Sequence, residues 1–289
     1  MAKTPVKKEV LQLGNITLTT KEDTPLRMAL LLWGPATCGK TTFAATAPGR
    51  KLWLSFGDNE HVSVSSRGDV IVASLFDLGV DELFKDAQSD NPFNLDKFLA
   101  EHDDVETVVV DSLTAITYRA LQKAVKDGVG AGRGFRPTME APGISAYGGR
   151  NAIVLETLTG LLRITAKHGV HIIITAHEDD PVTRQENGKD IIDYITVQLG
   201  GKLVNNMSWR LSEIWYMSQE DQGKRRRRLA VRPTRLRRPM KTRLFRSDQG
   251  QEFFLDYNSE KPDKGQMTIA NWVNEWMEKQ GEKINVPEA

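Results

Sequence analysis

The sequence has very little cysteine and no long apolar run. Cys38 is its one cysteine, which excludes an intramolecular disulfide and any zinc cluster built from cysteines. A membrane-spanning helix needs about 18 or more consecutive apolar residues, and the chain has no such run. Residues 1–10 also lack the apolar core of a secretory signal peptide. These absences predict a cytoplasmic protein that does not have a membrane partner.

Acidic residues are missing from one stretch, residues 224–246. It contains 12 of the 39 Lys and Arg residues and none of the 38 Asp and Glu residues. A concentrated basic segment on an otherwise acidic chain predicts contact with a polyanion. The alternative is a solvated pair of strands with charges on its open face. The candidate contacts in this stretch are Arg225, Arg226, Arg227 and Arg228.

A complete phosphate-binding motif follows the apolar run 28–33. Residues 34–41 read GPATCGKT, which matches G-x-x-x-x-G-K-[ST]. Its glycines let backbone N–H groups turn toward the phosphates of a nucleoside triphosphate such as ATP. Lys40 adds a mobile positive charge, and the Thr41 hydroxyl can hold Mg²⁺. Cys38 is interpreted as a small filler of the loop. The residues predicted to bind the nucleotide are Gly34, Pro35, Ala36, Thr37, Cys38, Gly39, Lys40, Thr41 and Thr42.

Apolar runs alternate with helical patterns along the chain. The predicted core strands are residues 29–33, 51–56, 70–74, 107–110 and 171–175, and the predicted helices are residues 40–46, 78–87, 94–101, 113–126 and 150–167. This alternation indicates an α/β fold with a mainly parallel central sheet covered by helices on both faces. Shorter strands at 213–217, 227–232 and 251–256 predict an antiparallel extension of that sheet. We expect an N-terminal extension at 1–26, an ATPase core at 27–256 and a C-terminal helical tail at 257–289.

Two long segments interrupt this alternation. Residues 127–149 are rich in glycine, and residues 178–206 are polar with scattered glycines. Loops of this length in a compact domain are usually functional or disordered. We expect both on the side of the sheet where phosphate-loop proteins bind their ligands.

The C-terminal residues 268–279 have helical spacing of apolar side chains. One face would contain Ile269, Trp272, Val273, Trp276 and Met277. This pattern predicts a helix that packs on the core of the same chain. The alternative is docking to a neighbouring subunit or to a single-strand-binding protein.

Acidic and polar residues at three other strand ends complete the predicted site. Asp111 ends the apolar strand at 107–110 and is the expected acid of the Mg²⁺ shell. Ser112 occupies the next position, where many phosphate-loop ATPases place a catalytic Glu, so another strand must supply the base. Glu60 after the second strand is our choice and Asp58 the alternative, because a carboxylate within one water of the γ-phosphate can deprotonate the attacking water. His177, at the end of the fifth strand, could sense the γ-phosphate.

These motifs together resemble the RecA-like recombinase family, especially its compact phage members that assist single-strand annealing. The similarity covers residues 27–246 and includes D-N-E-H at 58–61, V-V-V-D-S-L-T at 108–114 and T-A-H at 175–177. The resemblance implies that Lys40 is the phosphate clamp, Thr41 the magnesium ligand and Glu60 the catalytic base. It also implies that Asp111 is the acid of the magnesium shell and His177 the γ-phosphate sensor. Bacterial RecA has glutamine at the position of His177.

A second likeness lies within the basic stretch. Residues 241–245 read KTRLF, which is similar to the K-N-R-F-G motif of the bacterial RadA branch, with Thr for Asn and without the glycine. The resemblance implies that Lys241 and Arg243 act on the ATP of a neighbouring subunit. The alternative is the ordinary end of a basic strand.

The two long segments occupy the places where this family has its DNA-binding loops. The resemblance implies backbone contacts to single-stranded DNA, with slight sequence preference and strong salt dependence. Arg133, Phe135, Arg136 and Tyr147 supply cations and stacking rings in the first segment.

The resemblance therefore implies an ATP-dependent, single-strand-binding recombinase of a bacteriophage that assembles as a ring or filament. A phage helicase or helicase loader on the same core is the first alternative. A nucleotide kinase is the second, although it would need a lid and a small acceptor pocket. The guanine-recognition motif N-K-x-D is absent, which argues against a switch GTPase.

Overall fold

The structure is a computed structural model. It describes residues 12–13, 16–17, 27–58, 60–85, 92–132, 134–200, 202–221, 225–245, 252–255 and 268–273. The strands are β1 (Gln12–Leu13), β2 (Ile16–Thr17), β3 (Ala29–Gly34), β4 (Arg50–Ser55), β5 (Val70–Ser74), β6 (Val105–Asp111), β7 (His171–His177), β8 (Val182–Glu186), β9 (Lys189–Thr196), β10 (Glu213–Asp221), β11 (Arg225–Ala230), β12 (Arg237–Arg238) and β13 (Glu252–Leu255). The helices are α1 (Lys40–Ala44), α2 (Val80–Leu83), α3 (Leu95–Glu101), α4 (Leu113–Lys126), α5 (Gly143–Lys167) and α6 (Lys202–Ser208), with a 3₁₀ turn at Pro92–Asn94.

An eight-stranded sheet forms the centre of the molecule. Its order is β13-β11-β10-β3-β7-β6-β4-β5. The strands from β10 to β5 are parallel to their neighbours, whereas β11 pairs antiparallel with both β10 and β13. The predicted fold class, a mainly parallel α/β sheet with an antiparallel extension, is confirmed.

Both faces of this sheet are covered, which explains the continuous apolar character of its central strands. All six residues of β3 are buried. Leu31 and Trp33 belong to the core cluster that includes apolar residues of α4 and α5. Leu30 and Leu32 belong to the cluster on the other face, which includes Phe43 of α1. This arrangement fixes the end of β3, from which the phosphate-binding loop leaves.

The glycine-rich segment is shorter than the sequence suggested. Residues 143–149 form the first turns of α5, so Tyr147 lies in a helix and not in a loop. The low helix propensity of glycine made this part look irregular. Tertiary packing overrides it, because Ala146 is fully buried and a Cβ atom on Gly149 would lie 3.2 Å from the Cβ of Ala124 in α4. Small residues here let α4 and α5 approach closely.

The predicted loop at 178–206 was also wrong, because most of it has regular structure. It contains the antiparallel hairpin of β8 and β9, followed by α6. The hairpin turns at Asn187 and Gly188, both with positive φ. Asn-Gly is the sequence signature of such a two-residue turn, and the sequence interpretation overlooked it.

The described part of the C-terminal helix packs on the core of the same chain. Ile269, Trp272 and Val273 are buried in the cluster that contains Phe43. The Trp272 ring makes an edge contact with Phe43 at 6.1 Å between centroids. Trp276 and Met277 lie outside the described residues. Among the described helices, none is both long and apolar enough to cross a membrane.

Candidate functional site

The phosphate-binding loop needs both of its motif glycines. Gly34 has φ 152° and Gly39 has φ 97°, values that side chains disfavour. A Cβ atom on Gly34 would overlap the carbonyl oxygen of Met217 in β10, and one on Gly39 would overlap Nε of Arg227 in β11. The loop is therefore enclosed by β10 and β11 on one side, and neither glycine position has room for a side chain.

Lys40 is the first residue of α1, and its side chain reaches back into the phosphate-binding loop. Its side chain is 6% exposed, and Nζ donates hydrogen bonds to the carbonyl oxygens of Gly34 at 3.0 Å and Pro35 at 2.6 Å. Burial lowers the pKa of Lys40, while Cys38 and the carboxylate of Asp111 oppose this effect. The ammonium group is thus held at the loop by weak carbonyl partners, which a phosphate oxygen can replace.

Asp111 and Thr41 form a pair of oxygen donors beside the loop. The Thr41 hydroxyl donates to Oδ2 of Asp111 at 3.2 Å, and the Thr175 hydroxyl donates to Oδ1. Asp111 is 4% exposed, and burial raises its pKa, which the hydrogen bonds from Thr175 and Thr41 oppose. Hydroxyl and carboxylate oxygens suit Mg²⁺, which commonly takes one or two carboxylates with phosphate oxygens and water. The donor chemistry therefore fits the predicted metal ion.

Glu60 reaches the same place from the end of β4. Its Oε2 accepts the Gly57 N–H at 3.0 Å, and its Oε1 accepts the Ser112 hydroxyl at 3.1 Å. Burial raises the pKa of Glu60, and the nearby charge of Asp111 raises it further. Asp58 is exposed. Of the two candidate bases, Glu60 is the one that lines the cavity described below.

His177 connects the strand beside the loop to the segment that follows. It is paired with Gly34 across β3 and β7, and its N–H donates to the Thr114 hydroxyl at 2.9 Å. Its carbonyl accepts the Gln198 N–H at 2.8 Å. Burial lowers the pKa of His177, and the charge of Lys40 lowers it further. The neutral imidazole is therefore favoured and His177 lines the cavity described below, while its backbone carbonyl contacts the segment after β9.

One cavity of about 290 Å³ brings these groups together. The residues predicted to clamp phosphate, hold magnesium, activate water and sense the γ-phosphate all line it. Its lining consists of Thr37, Gly39, Lys40, Thr41, Thr42, Glu60, Ser63, Asp111, Thr175, His177 and Arg227. The predicted loop residues Pro35, Ala36 and Cys38 line a neighbouring cavity of about 270 Å³ together with Gln219. The geometry suits a nucleoside triphosphate.

The basic cluster is not one uniform open surface. Arg227 lines the nucleotide cavity, and Arg228 forms an ion pair with Glu252 of β13, which also binds Arg237 at 2.8 Å. The two arginines therefore do not share one open surface, and their binding to single-stranded DNA stays a prediction. The strand pairing that separates them could not be read from four consecutive arginines. The side chains of Arg225 and Arg226 lie outside the described residues.

Lys241 and Arg243 lie far from the cavity, at the amino end of the parallel strands. The Lys241 ammonium donates to the carbonyl oxygens of Ser208 at 3.3 Å and Leu211 at 2.7 Å. The N–H of Arg243 donates to the buried carboxylate of Glu213 at 2.7 Å, while its side chain is exposed. Glu213 is the first residue of β10 and pairs with Leu30 of β3. Leu30 lies four residues before Gly34, so at about 3.3 Å per residue the turn is separated from its own phosphate-binding loop by roughly 13 Å along the strand.

The first segment expected to bind DNA exposes aromatic rings. Phe135 and Tyr147 are each 43% exposed, and Arg136 is also exposed. The Arg150 guanidinium lies 5.0 Å from the centre of the Tyr147 ring and 3.3 Å from a Cβ atom built on Gly200. The start of α5 therefore adjoins the end of the second segment. Arg133 lies outside the described residues.

A family comparison agrees with this geometry. The family model described as AAA domain matches residues 26–243, which is most of the chain. The chain belongs to this AAA-domain family. This AAA-domain protein is thus a nucleotide-binding P-loop ATPase, and the activity predicted from the sequence is confirmed at that level.

Two solved structures are similar to this AAA-domain protein in outline. A KaiC-like protein from the hyperthermophilic archaeon Pyrococcus horikoshii OT3 is 15% identical, with a TM-score of 0.44, and the match covers 81% of this chain and 87% of that one. A RadB recombinase is also 15% identical, with a TM-score of 0.39, and the match covers 81% and 89%. No curated protein sequence matches the chain significantly.

Proposed function

We propose that the chain is an ATP- and Mg²⁺-dependent, single-strand-binding recombinase-like protein of a bacteriophage, which promotes homologous recombination or strand annealing. The observation that supports the ATPase chemistry is the cavity that unites Lys40, Thr41, Glu60, Asp111 and His177. The basic stretch and the ring-bearing segment at the start of α5 support a nucleic-acid ligand.

The residues of this cavity have separable roles in the proposed reaction. Lys40 exchanges its carbonyl partners for phosphate oxygens when ATP enters. Thr41 and Asp111 would hold Mg²⁺, which when bound neutralises charge on the phosphates. Glu60, fixed by Gly57 and Ser112, accepts the proton of the attacking water. Its raised pKa brings this carboxylate closer to the basicity that such a proton transfer needs.

His177 would report the state of the nucleotide to the DNA-binding segments. It lies on the cavity, and its carbonyl is hydrogen-bonded to the backbone of Gln198, close to the segment that adjoins Arg150. The adjacent Glu178 donates its backbone N–H to Gly34 at 3.1 Å and accepts the Tyr216 hydroxyl at 2.9 Å. A shift of the imidazole on phosphate release would therefore move the backbone of His177 and Glu178, which is hydrogen-bonded to Gln198 and Gly34.

Assembly into a ring or filament forms part of this proposal. The turn containing Arg243 lies at the sheet edge opposite to the cavity, so it is unable to serve the site of its own chain. An exposed guanidinium there suits the γ-phosphate of a neighbouring subunit, where an added cation accelerates hydrolysis.

The test compares ATP turnover with and without single-stranded DNA. We expect DNA to stimulate turnover of the wild-type protein and to have no effect on Lys40→Ala, the control for contaminating ATPase. Complementary strands should then anneal, and a forked duplex should stay paired. Unwinding of the fork would indicate the helicase alternative, and DNA-independent transfer to a nucleotide acceptor would indicate a kinase.

A further inference from the structure

The two motif glycines of the phosphate-binding loop both touch the antiparallel ribbon of β10 and β11. Gly34 packs on the backbone of Met217 in β10, and Gly39 packs on the side chain of Arg227 in β11. A Cβ atom on Gly39 would overlap Nε of that arginine and lie 3.1 Å from Cζ. Because Gly39 has no side chain, the Arg227 guanidinium can lie against the loop.

The strand pairing explains how an arginine so far along the sequence reaches this position. β10 runs parallel to β3 as far as the pair Tyr216 and Trp33, and its later residues continue past the end of β3. Arg227 is opposite Gln219 on that projecting part, and Gln219 lies beside Pro35, Ala36 and Thr37. The ribbon therefore flanks the loop, and register places Arg227 over it.

We infer that Arg227 binds the phosphate groups of the nucleotide in its own subunit. The inference rests on the proposed function, because it assigns a further residue to the same ATP site. Arg227 shares the cavity with Lys40 and Thr41, and a guanidinium offers a planar pair of donors that matches phosphate oxygens. This cation differs from Arg243, which lies at the opposite edge of the sheet.

The next residue on the same strand provides a matched control. Arg228 follows Arg227 in β11, so it lies on the other face of the ribbon, where it contacts Glu252. Replacing either arginine removes one positive charge from the same strand. If Arg227 contacts the nucleotide specifically, ATP binding weakens only when Arg227 is replaced. If the positive charge of the cluster acts generally, ATP binding weakens when either arginine is replaced.

The experiment measures binding of fluorescent ATP and AMP analogues with Mg²⁺ and without DNA. Arg227→Gln should weaken ATP binding by about 10- to 100-fold, the factor expected for one hydrogen bond to a charged group. The loss should be smaller for AMP, which has one phosphate. Arg227→Lys keeps the charge without the planar fork, so its ATP affinity should lie between those of wild type and Arg227→Gln. Arg228→Gln should bind ATP as wild type does.

Each other outcome has a definite meaning. The inference is overturned if Arg227→Gln binds ATP within a factor of two of wild type. It is also overturned if Arg227→Gln and Arg228→Gln lose ATP affinity equally. Thermal unfolding without nucleotide identifies a folding defect, in which case Arg227→Lys is decisive: wild-type affinity rejects the planar contact. ATP binding by Lys40→Ala at wild-type strength would instead overturn the proposed site itself, which distinguishes the two failures.

Discussion

The Ser112 hydroxyl donates a hydrogen bond to Oε1 of Glu60 at 3.1 Å. Ser112 occupies the position after Asp111, where many phosphate-loop ATPases place the catalytic glutamate. Here the glutamate arrives from β4, and the serine holds it. Its hydroxyl also accepts the Ala115 N–H as the N-cap of α4. The residue that replaces the usual base thus positions the proposed one.

Replacing the proposed base should separate binding from hydrolysis. Glu60→Gln keeps the size and one acceptor oxygen, so ATP and Mg²⁺ should still bind while turnover falls by about 10²- to 10⁴-fold, the usual contribution of a general base. Equilibrium binding and steady-state turnover measure the two effects. Asp58→Asn is the matched control, and normal turnover in Glu60→Gln with loss in Asp58→Asn would reverse the assignment.

Removing the Ser112 hydroxyl should shift the pH dependence of turnover. Its hydrogen bond lowers the pKa of Glu60 against the effect of burial, so Ser112→Ala should raise that pKa. Because the base must be deprotonated, the acidic limb of the rate profile should move to higher pH, with kcat lowered more than ATP affinity. Ser112→Thr retains the hydroxyl and should restore the profile. An unmoved limb would show that Ser112 only caps α4.

Neutralising the start of β11 should change the salt dependence of DNA binding. Arg225→Gln combined with Arg226→Gln spares Arg227 in the nucleotide cavity and Arg228 in its ion pair. We expect weaker single-stranded DNA binding for all sequences alike, with the slope of log affinity against log salt reduced by about 0.7 per lost phosphate contact. Titrations at several salt concentrations measure the slope. An unchanged slope would assign this end of the strand to a solvated surface.

Mixing two inactive variants tests the action of Arg243 on a neighbour. Lys40→Ala lacks a working phosphate site, and Arg243→Ala lacks the exposed cation. A mixed interface that pairs an intact site with an intact arginine should recover part of the turnover. Lys241→Ala is less informative, because the Lys241 ammonium binds two carbonyl groups of its own chain. Mixtures that co-assemble and stay inactive at every ratio would reject a role in trans.

His171 at the start of β7 should make the fold sensitive to acid. Its Nδ1 accepts the Met28 N–H at 2.9 Å, and burial, assisted by the charge of Arg27, lowers the pKa of His171 to about 4. The unfolded chain binds a proton near pH 6.5, so stability is complete above that pH and falls as pH drops toward 4. The loss is up to about 3 kcal/mol. Denaturant unfolding across this range should show a weaker decline in His171→Asn.

The sequence was sufficient for the parts of the fold where local signals and burial agree. The apolar strands around β3 and the helix Leu113–Lys126 have strong patterns and lie where they were predicted. The start of α5 was missed because three glycines there argue for a loop, while close packing on Ala124 favours the helix. Propensity is a weak signal against such tertiary contacts.

The candidate site divides in the same way. Lys40 and Thr41 follow from a contiguous motif, and Asp111 and Glu60 from the ends of parallel strands that meet at one edge. The position of Arg227 on the cavity depends on the register of β11 against β10 and on how far that ribbon projects past the end of β3. Four consecutive arginines look alike in the sequence, so their different partners were not predictable from it.

In the proposed assembly, the roughly 13 Å along the strands between the Arg243 turn and the phosphate-binding loop would give every subunit a donor end and an acceptor end. An interface of this kind joins unlike surfaces and does not close as a two-fold dimer. In an open filament, the terminal subunit at one end has no donor, so a short filament has a larger fraction of incomplete sites than a long one. A closed ring has none. Turnover per subunit should therefore rise with length in filaments and stay constant in rings, so that kinetics alone can report the form of the assembly.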